Sequence, residues 1–241
     1  GLGNVSSLAG VCSDIRPDEL YNMWPQSHVK WSVEIPEYTS DRGALGTIRL
    51  LEAIRRTGIT CRFYQASSSE MFGSTPPPQN ESTRFHPRSP YACAKVFAHQ
   101  ATINYRESYG LHASCGILFN HESPRRGETF VTRKITRAVA QIHMGLQEKL
   151  YLGNLEAVRD WGYAKDYVDG MWRILQAPRP GTFVLATNRA ETVRDFVMMA
   201  FKAAGVGLDG KGRGDAEPGH CSRRGKLVVR VSRKFSRPAD V

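Results

Sequence analysis

Apolar positions in this chain alternate between short unbroken runs and stripes with helical spacing. Residues 18–23, 114–119 and 182–187 read as short strands, and 62–67 as a strand buried in a sheet. Leu45, Ile48, Leu51 and Ile54 form a stripe that predicts a helix over 43–56, closed by Gly58. Ser89 followed by Pro90 reads as a cap and a first-turn proline, starting a helix over 91–108 that Gly110 ends. Further helices are expected up to Ile15, over 129–147 and over 193–203. Pro76-Pro77-Pro78 and the glycine-rich stretch 205–214 read as loops. Strands that alternate with helices predict an α/β fold on a parallel sheet.

Composition narrows the class. Hydrophobic residues at 41% and charged residues at 23% of 241 describe a soluble globular chain, of one domain or two small lobes. No apolar run approaches the roughly 20 residues that span a bilayer, and residues 1–10 lack a secretory signal's pattern, so no membrane is expected. The five cysteines are scattered and form no C-x-x-C pair, which predicts reduced thiols, a cytoplasmic setting and no metal. The net charge of +10 is concentrated at the end, where residues 211–241 hold nine Lys/Arg and three Asp/Glu. No aromatic stacking pattern accompanies those charges, so they predict a solvated, partly disordered basic tail and no nucleic-acid partner.

The candidate chemistry sits in the middle of the chain. Tyr91-Ala92-Cys93-Ala94-Lys95 places a phenol and an ammonium four residues apart, on one face of a helix's first turns. A nearby cation favours the phenolate, and a tyrosine so placed can take a proton from a sugar hydroxyl. Upstream, Ser67-Ser68-Ser69-Glu70 follows a strand, at the carboxyl end where open α/β sheets place their active groups. The glycine-rich turn that opens a dinucleotide fold is missing, since Gly1-Leu2-Gly3 has no strand before it.

The longer runs are more specific. Residues 63–73, 87–95 and 104–110, and above all 116–136 (Gly-Ile-Leu-Phe-Asn-His-Glu-Ser-Pro-Arg-Arg-Gly and onward), resemble the GDP-mannose 4,6-dehydratase family of extended short-chain dehydrogenases. Leu150-Tyr151-Leu152-Gly153-Asn154 and Arg159-Asp160-Trp161-Gly162 continue the likeness, which fades towards Phe235-Ser236-Arg237-Pro238-Ala239. The resemblance implies a truncated Rossmann-type parallel sheet. A partial NADP-binding lobe falls at 1–122 and 160–187, and a smaller α/β substrate lobe at 123–159 and 188–241. It implies NADP as cofactor and GDP-mannose as substrate, on the route to GDP-fucose, in a dimer or tetramer. Catalysis falls to four residues. Tyr91 accepts the C4-hydroxyl proton and Lys95 holds the phenolate and the nicotinamide ribose. Ser68, where threonine is usual, bonds the C4 oxygen, and Glu70 removes the C5 proton. Ser27, Tyr38, His121 and Arg126 match cofactor contacts, together with Tyr91 and Lys95. Asn120, Lys134 and Arg159 match groups that hold the diphosphate and sugar.

Two departures from the family pattern stand out. Trp24 and Pro25 replace small residues in a loop that lines the cofactor, and the proline removes an N–H donor, so weakened NADP binding is expected. Tyr163 replaces a usual histidine. The resemblance also implies truncation at both ends, and the chain alone is expected neither to bind NADP tightly nor to turn over substrate. The rival readings are another nucleotide-sugar epimerase or dehydratase, and a non-catalytic fragment. The latter would pair with full-length subunits, or bind polyanions through Arg223-Arg224 and Arg233-Lys234.

Overall fold

The computed structural model describes residues 2–23, 29–210, 218–221 and 226–232. In chain order its elements begin with α1 (Val5–Ile15), β1 (Glu19–Asn22), α2 (Val29–Glu34), α3 (Pro36–Ser40), α4 (Gly46–Thr57), β2 (Arg62–Ser68) and α5 (Pro90–Tyr109). Next come β3 (Ala113–Leu118), β4 (Asn120–Glu122), α6 (Val131–His143), β5 (Leu150–Leu152), β6 (Val158–Tyr163) and α7 (Ala164–Gln176). The remainder are β7 (Thr182–Leu185), β8 (Ala190–Thr192), α8 (Val193–Ala203), β9 (Leu208–Gly210), β10 (Pro218–Cys221) and β11 (Lys226–Val231). They divide into two compact units, Gly1–His121 with Gly162–Ala186, and Glu122–Trp161 with Thr187–Val241.

The first unit is built on a four-stranded parallel sheet in the order β1-β2-β3-β7. Asn22 pairs with Gln65 at the end of β1, and Ser68 with Leu118 at the end of β2. Parallel neighbours require crossovers, and α4 and α5 supply the two between β1, β2 and β3. Side chains alternate across the sheet. Phe63 packs in a core with Leu51, Ile54 and Tyr105 of α4 and α5, whereas Tyr64 packs with Tyr167, Met171 and Leu175 of α7. The sheet is thus covered on both faces, which is why its strands read as near-continuous apolar runs.

The expected strands and the caps of α5 are present. Ser89 has φ −149° and its Oγ accepts from the Ala92 N–H at 3.1 Å, while Gly110 closes the helix at φ 68°. The stripe proposed for α4 needs correction. Leu45 is 46% exposed, and the buried face is Thr47, Leu50, Leu51, Ala53 and Ile54. A π-helical turn, Asp41–Leu45, precedes α4, and its wider turn shifts the phase of the stripe. The expected 129–147 helix contracts to Val131–His143, because Phe130 is extended at ψ 146° and Gly145 turns the chain at φ 77°. α7 was not anticipated. Its interior Gly170 weakens the helical pattern, and a Cβ there would meet Leu185 Cδ1 at 2.9 Å.

A buried pair pins α5 to β2. His99 is 2% exposed, and its Nδ1 lies 2.8 Å from Ser67 Oγ, with Phe85 edge-on at 5.2 Å. Burial chiefly, with some help from Arg106, pulls His99 down to about 4. On the other face Tyr64 is fully buried, and its hydroxyl has no hydrogen-bond partner among the described residues. Gly116 accommodates that ring, since a Cβ at this position would lie 2.1 Å from Tyr64 Oη.

The second unit has its own sheet, ordered β5-β11-β10-β9, with β11 parallel to β5 and the remaining pairs antiparallel. Ile135 and Val139 of α6, Phe201 of α8, Leu150 and Leu152 of β5, and Val228 and Val229 of β11 share its core. The expected basic tail is therefore partly folded. Leu227-Val228-Val229 forms a strand core that the flanking cations outweigh in a composition count. Likewise Leu208–Gly210 is strand, not loop. The other tail arginines and lysines, Arg223-Arg224 and Arg233-Lys234 among them, lie outside the described residues.

Two predictions follow from the first unit. Gly116→Ala should destabilise by about 1–3 kcal/mol through overpacking. Tyr64→Phe should be neutral or stabilising, because it removes a buried hydroxyl without a partner. The double variant should recover part of the loss. Urea midpoints that show no recovery would disprove the contact. The second prediction concerns pH. His99 titrates lower folded than unfolded, so the stability it contributes is present at neutral pH and fades as pH falls from about 6.5 to about 4. His99→Leu should flatten the decline of unfolding free energy across that window, even though its stability at neutral pH is lower.

Candidate active site

The local structure begins where β2 ends. Ser68 is extended at φ −144° and ψ 144°, and it caps a 3₁₀ turn, Ser69–Met71. Its Oγ accepts from the Glu70 N–H at 3.3 Å. By accepting there, the hydroxyl keeps its own proton to donate to a substrate oxygen. Glu70 lies on this turn and is partly buried.

Helix α5 packs against both β2 and this turn. Tyr91 is 7% exposed and Lys95 is 5% exposed. The Lys95 ammonium donates to the Ala66 carbonyl at 2.6 Å and sits 5.7 Å from the centre of the Tyr91 ring. Ala66 is two residues before Ser68, so this bond draws the Tyr91–Lys95 turn to the strand end that carries Ser68 and Glu70. Burial alone lowers Lys95 to about 7. Such an amine holds its proton weakly in isolation, and a bound anion or a phenolate would restore its charge.

The other candidates are placed as follows. His121 Nδ1 donates to the Phe119 carbonyl at 2.8 Å, which puts the ring proton on Nδ1, and the ring stacks on Tyr167 at 4.9 Å. Asn120, its neighbour on β4, is half-buried. Tyr38 on α3 is 45% exposed, with the Arg42 guanidinium 5.6 Å from its ring centre. In the second unit Arg126 lies 3.1 Å from the Glu122 carboxylate through Nε and 3.7 Å above the Phe130 ring. That same carboxylate accepts a short bond from Thr132 Oγ1. Lys134 on α6 lines a cavity of about 310 Å³ with Glu128, Arg137, Gln141, Lys149 and Tyr151. Arg159 on β6 is half-buried and donates to the Val158 carbonyl at 2.7 Å. Beside it, Asp160 accepts from the Thr187 N–H at 3.0 Å and from its hydroxyl at 2.8 Å. Tyr163 caps α7 and is 54% exposed. Ser27, Trp24 and Pro25 lie outside the described residues.

Sequence reasoning missed the polar groups behind the catalytic candidates. His99 follows Tyr91 and Lys95 at the same helical spacing, which is the signal that could have found it. Gln65 interrupts the apolar run of β2, is fully buried, and accepts from Asn22 Nδ2 at 2.8 Å. Among the described residues no group of three or more His, Cys, Asp or Glu is placed to hold a metal. No helix among them is long and apolar enough to cross a membrane.

Comparison with known proteins bears directly on this arrangement. Residues 2–241 match the family model described as GDP-mannose 4,6 dehydratase. The chain is 52% identical over 253 aligned positions to the GDP-mannose 4,6-dehydratase of Yersinia enterocolitica, covering all of this chain and 68% of that protein. It is 52% identical to GDP-mannose 4,6 dehydratase 2 of Arabidopsis thaliana, covering all of this chain and 61% of the relative. Among solved structures, RMD from Pseudomonas aeruginosa complexed with NADPH superposes with a TM-score of 0.82 at 22% identity, covering 96% of this chain and 74% of that one. UDP-glucose 4-epimerase from Thermotoga maritima does so with a TM-score of 0.81 at 22% identity, covering 100% and 72%. At that identity the structural likeness establishes the Rossmann-like α/β fold, and the sequence relatives establish more: this chain belongs to the GDP-mannose 4,6-dehydratase family.

Proposed function

We propose that this chain carries the catalytic machinery for NADP-dependent conversion of GDP-mannose to GDP-4-keto-6-deoxymannose. The observation that carries the reading is the Lys95–Ala66 bond, which draws a phenol and an amine to the strand end that bears a hydroxyl and a carboxylate. Tyr91 would take the C4-hydroxyl proton, and Lys95 would stabilise the phenolate that takes it. Ser68 would donate to the C4 oxygen. A ketone at C4 acidifies the C5 hydrogen, and Glu70 would remove that proton and pass it to the C6 hydroxyl, which leaves as water. C5 would regain a proton from solvent as hydride reaches C6, and Tyr91 would release its own to solvent. An epimerase needs no carboxylate base at C5, so Glu70 at this place favours the dehydratase over its nearest rival.

NADP would supply the hydride acceptance at C4 and the hydride return at C6. The residues present suit it. A lysine driven towards neutrality by burial gains from a ribose hydroxyl or an anion, and the Arg126 guanidinium suits phosphate. In this reading Gly1–His121 with Gly162–Ala186 is the cofactor lobe, with Tyr38, His121 and Ser27 as contacts. Glu122–Trp161 with Thr187–Val241 is the substrate lobe, with Lys134 and Arg159 as its groups for the diphosphate and sugar. Trp31, Val33, Leu45 and Phe97 expose 43–49% of their surface, which supports a homo-oligomer, a dimer or tetramer. The reading sets the protein in GDP-fucose formation in the cytoplasm.

The test places residues 2–241 in the Yersinia enterocolitica relative, in place of the matching segment. With NADP and GDP-mannose, proton NMR should show the 6-methyl doublet of a 4-keto-6-deoxy sugar. Glu70→Gln should lower its formation by at least about a hundredfold, as for loss of a general base. A product that keeps its 6-hydroxymethyl group would instead support epimerase chemistry.

A further inference from the structure

A line of buried polar side chains ends on the lysine of the candidate site. Thr47 on α4 is 1% exposed, Asn22 on β1 is 3% exposed and Gln65 on β2 is fully buried. Thr47 Oγ1 donates to the Gly43 carbonyl at 2.9 Å and accepts from Asn22 Nδ2 at 3.1 Å. Asn22 Nδ2 also donates to Gln65 Oε1 at 2.8 Å. Gln65 Nε2 in turn donates to the Ala66 carbonyl at 3.2 Å, the oxygen that receives Lys95 at 2.6 Å. Three polar side chains in an apolar layer are costly unless each is satisfied. A fully buried amide also holds its carbonyl partner in one place.

The backbone gives that carbonyl its direction. The Arg62 N–H donates to the Asp18 carbonyl, on the β1 side of β2, and strand groups alternate sides with every residue. The Ala66 carbonyl therefore also turns towards β1, beside Asn22, the last residue of that strand. Gln65 spans the corner between the two.

We infer that Gln65, with Asn22 and Thr47 behind it, is a positioning residue for Lys95, fixing the Ala66 carbonyl against which the ammonium is held. The inference rests on the reading of Lys95 as the partner of Tyr91. With two donors on one carbonyl, the Lys95 proton competes for a shared acceptor, which works in the same direction as burial. Among the described residues, the titratable and charged groups on the same side of the sheet include Tyr91, His99, Tyr105 and Arg106 on α5, Glu52 on α4, Cys12 on α1, Cys61 before β2 and Cys115 on β3.

The test follows the Lys95 ¹³Cε resonance of the 241-residue chain through a pH titration, assigned by its disappearance in Lys95→Met. The wild-type midpoint should lie near 7. Gln65→Met keeps the volume and removes the shared donor, and should raise the proton affinity of Lys95 three- to tenfold, the worth of roughly one hydrogen bond. Thr47→Val should raise it less, and it serves alone if Gln65→Met does not fold. Leu51→Ala, a core truncation outside the polar line, should leave the midpoint in place. Unchanged midpoints in Gln65→Met and Thr47→Val, or an equal shift in Leu51→Ala, would overturn the inference. Failure of the enzymatic reading is separate: it would appear as undiminished NADP affinity and turnover when Lys95→Met is made with residues 2–241 placed in the Yersinia enterocolitica relative, whatever the midpoints.

Discussion

An ammonium taken out of water is held against a backbone oxygen at the end of a strand, and the candidate site of the first unit is organised around that contact. Lys95 is buried and bonds to the Ala66 carbonyl at 2.6 Å. Burying a charge is unfavourable unless it is bonded, and even so the amine gives up its proton more readily than in water. The contact fixes how far α5 can slide along β2. With the Ser67–His99 bond one helical turn further on, it sets the register between the helix bearing Tyr91 and the strand end bearing Ser68 and Glu70.

Each half of that register has a local cause. Ser89 and Pro90 fix where α5 begins, so Tyr91 falls in its first turn and Lys95 one turn later. The parallel pairing of β2 with β1 and β3 fixes where Ala66 and Ser68 fall at the carboxyl edge of the sheet. Ser68 then turns the chain by capping the 3₁₀ turn, which carries Glu70 off the strand. Hydroxyl, carboxylate, phenol and amine thus come from two adjacent stretches of chain, each ordered by its own short-range chemistry.

That is also why this part was legible in the sequence. Caps, proline and glycine stops and the Y-x-x-x-K spacing are local signals, and β2, β3, α5 and α8 fall close to where those signals put them. What was not legible depends on contacts far apart in the chain, or on local features that a pattern of apolar residues does not report. The exposure of Leu45 follows from a π-helical turn that no stripe of apolar residues announces. α7 is obscured by Gly170, whose lack of a side chain answers to Leu185 on another element. The polar line through Thr47, Asn22 and Gln65 joins three elements, and in sequence Gln65 only interrupts an apolar strand. β11 was hidden because the charges of its neighbours dominated a window that its three apolar residues could not outweigh.

The account stands on four side chains serving one hexose. A crystal structure of the whole protein with GDP-mannose bound tests this most directly. It should show the C4 hydroxyl on Tyr91 Oη and a Glu70 carboxylate oxygen within about 3–4 Å of C5, the reach of a general base. A sugar seated against Tyr91 with Glu70 turned away from the ring would contradict it.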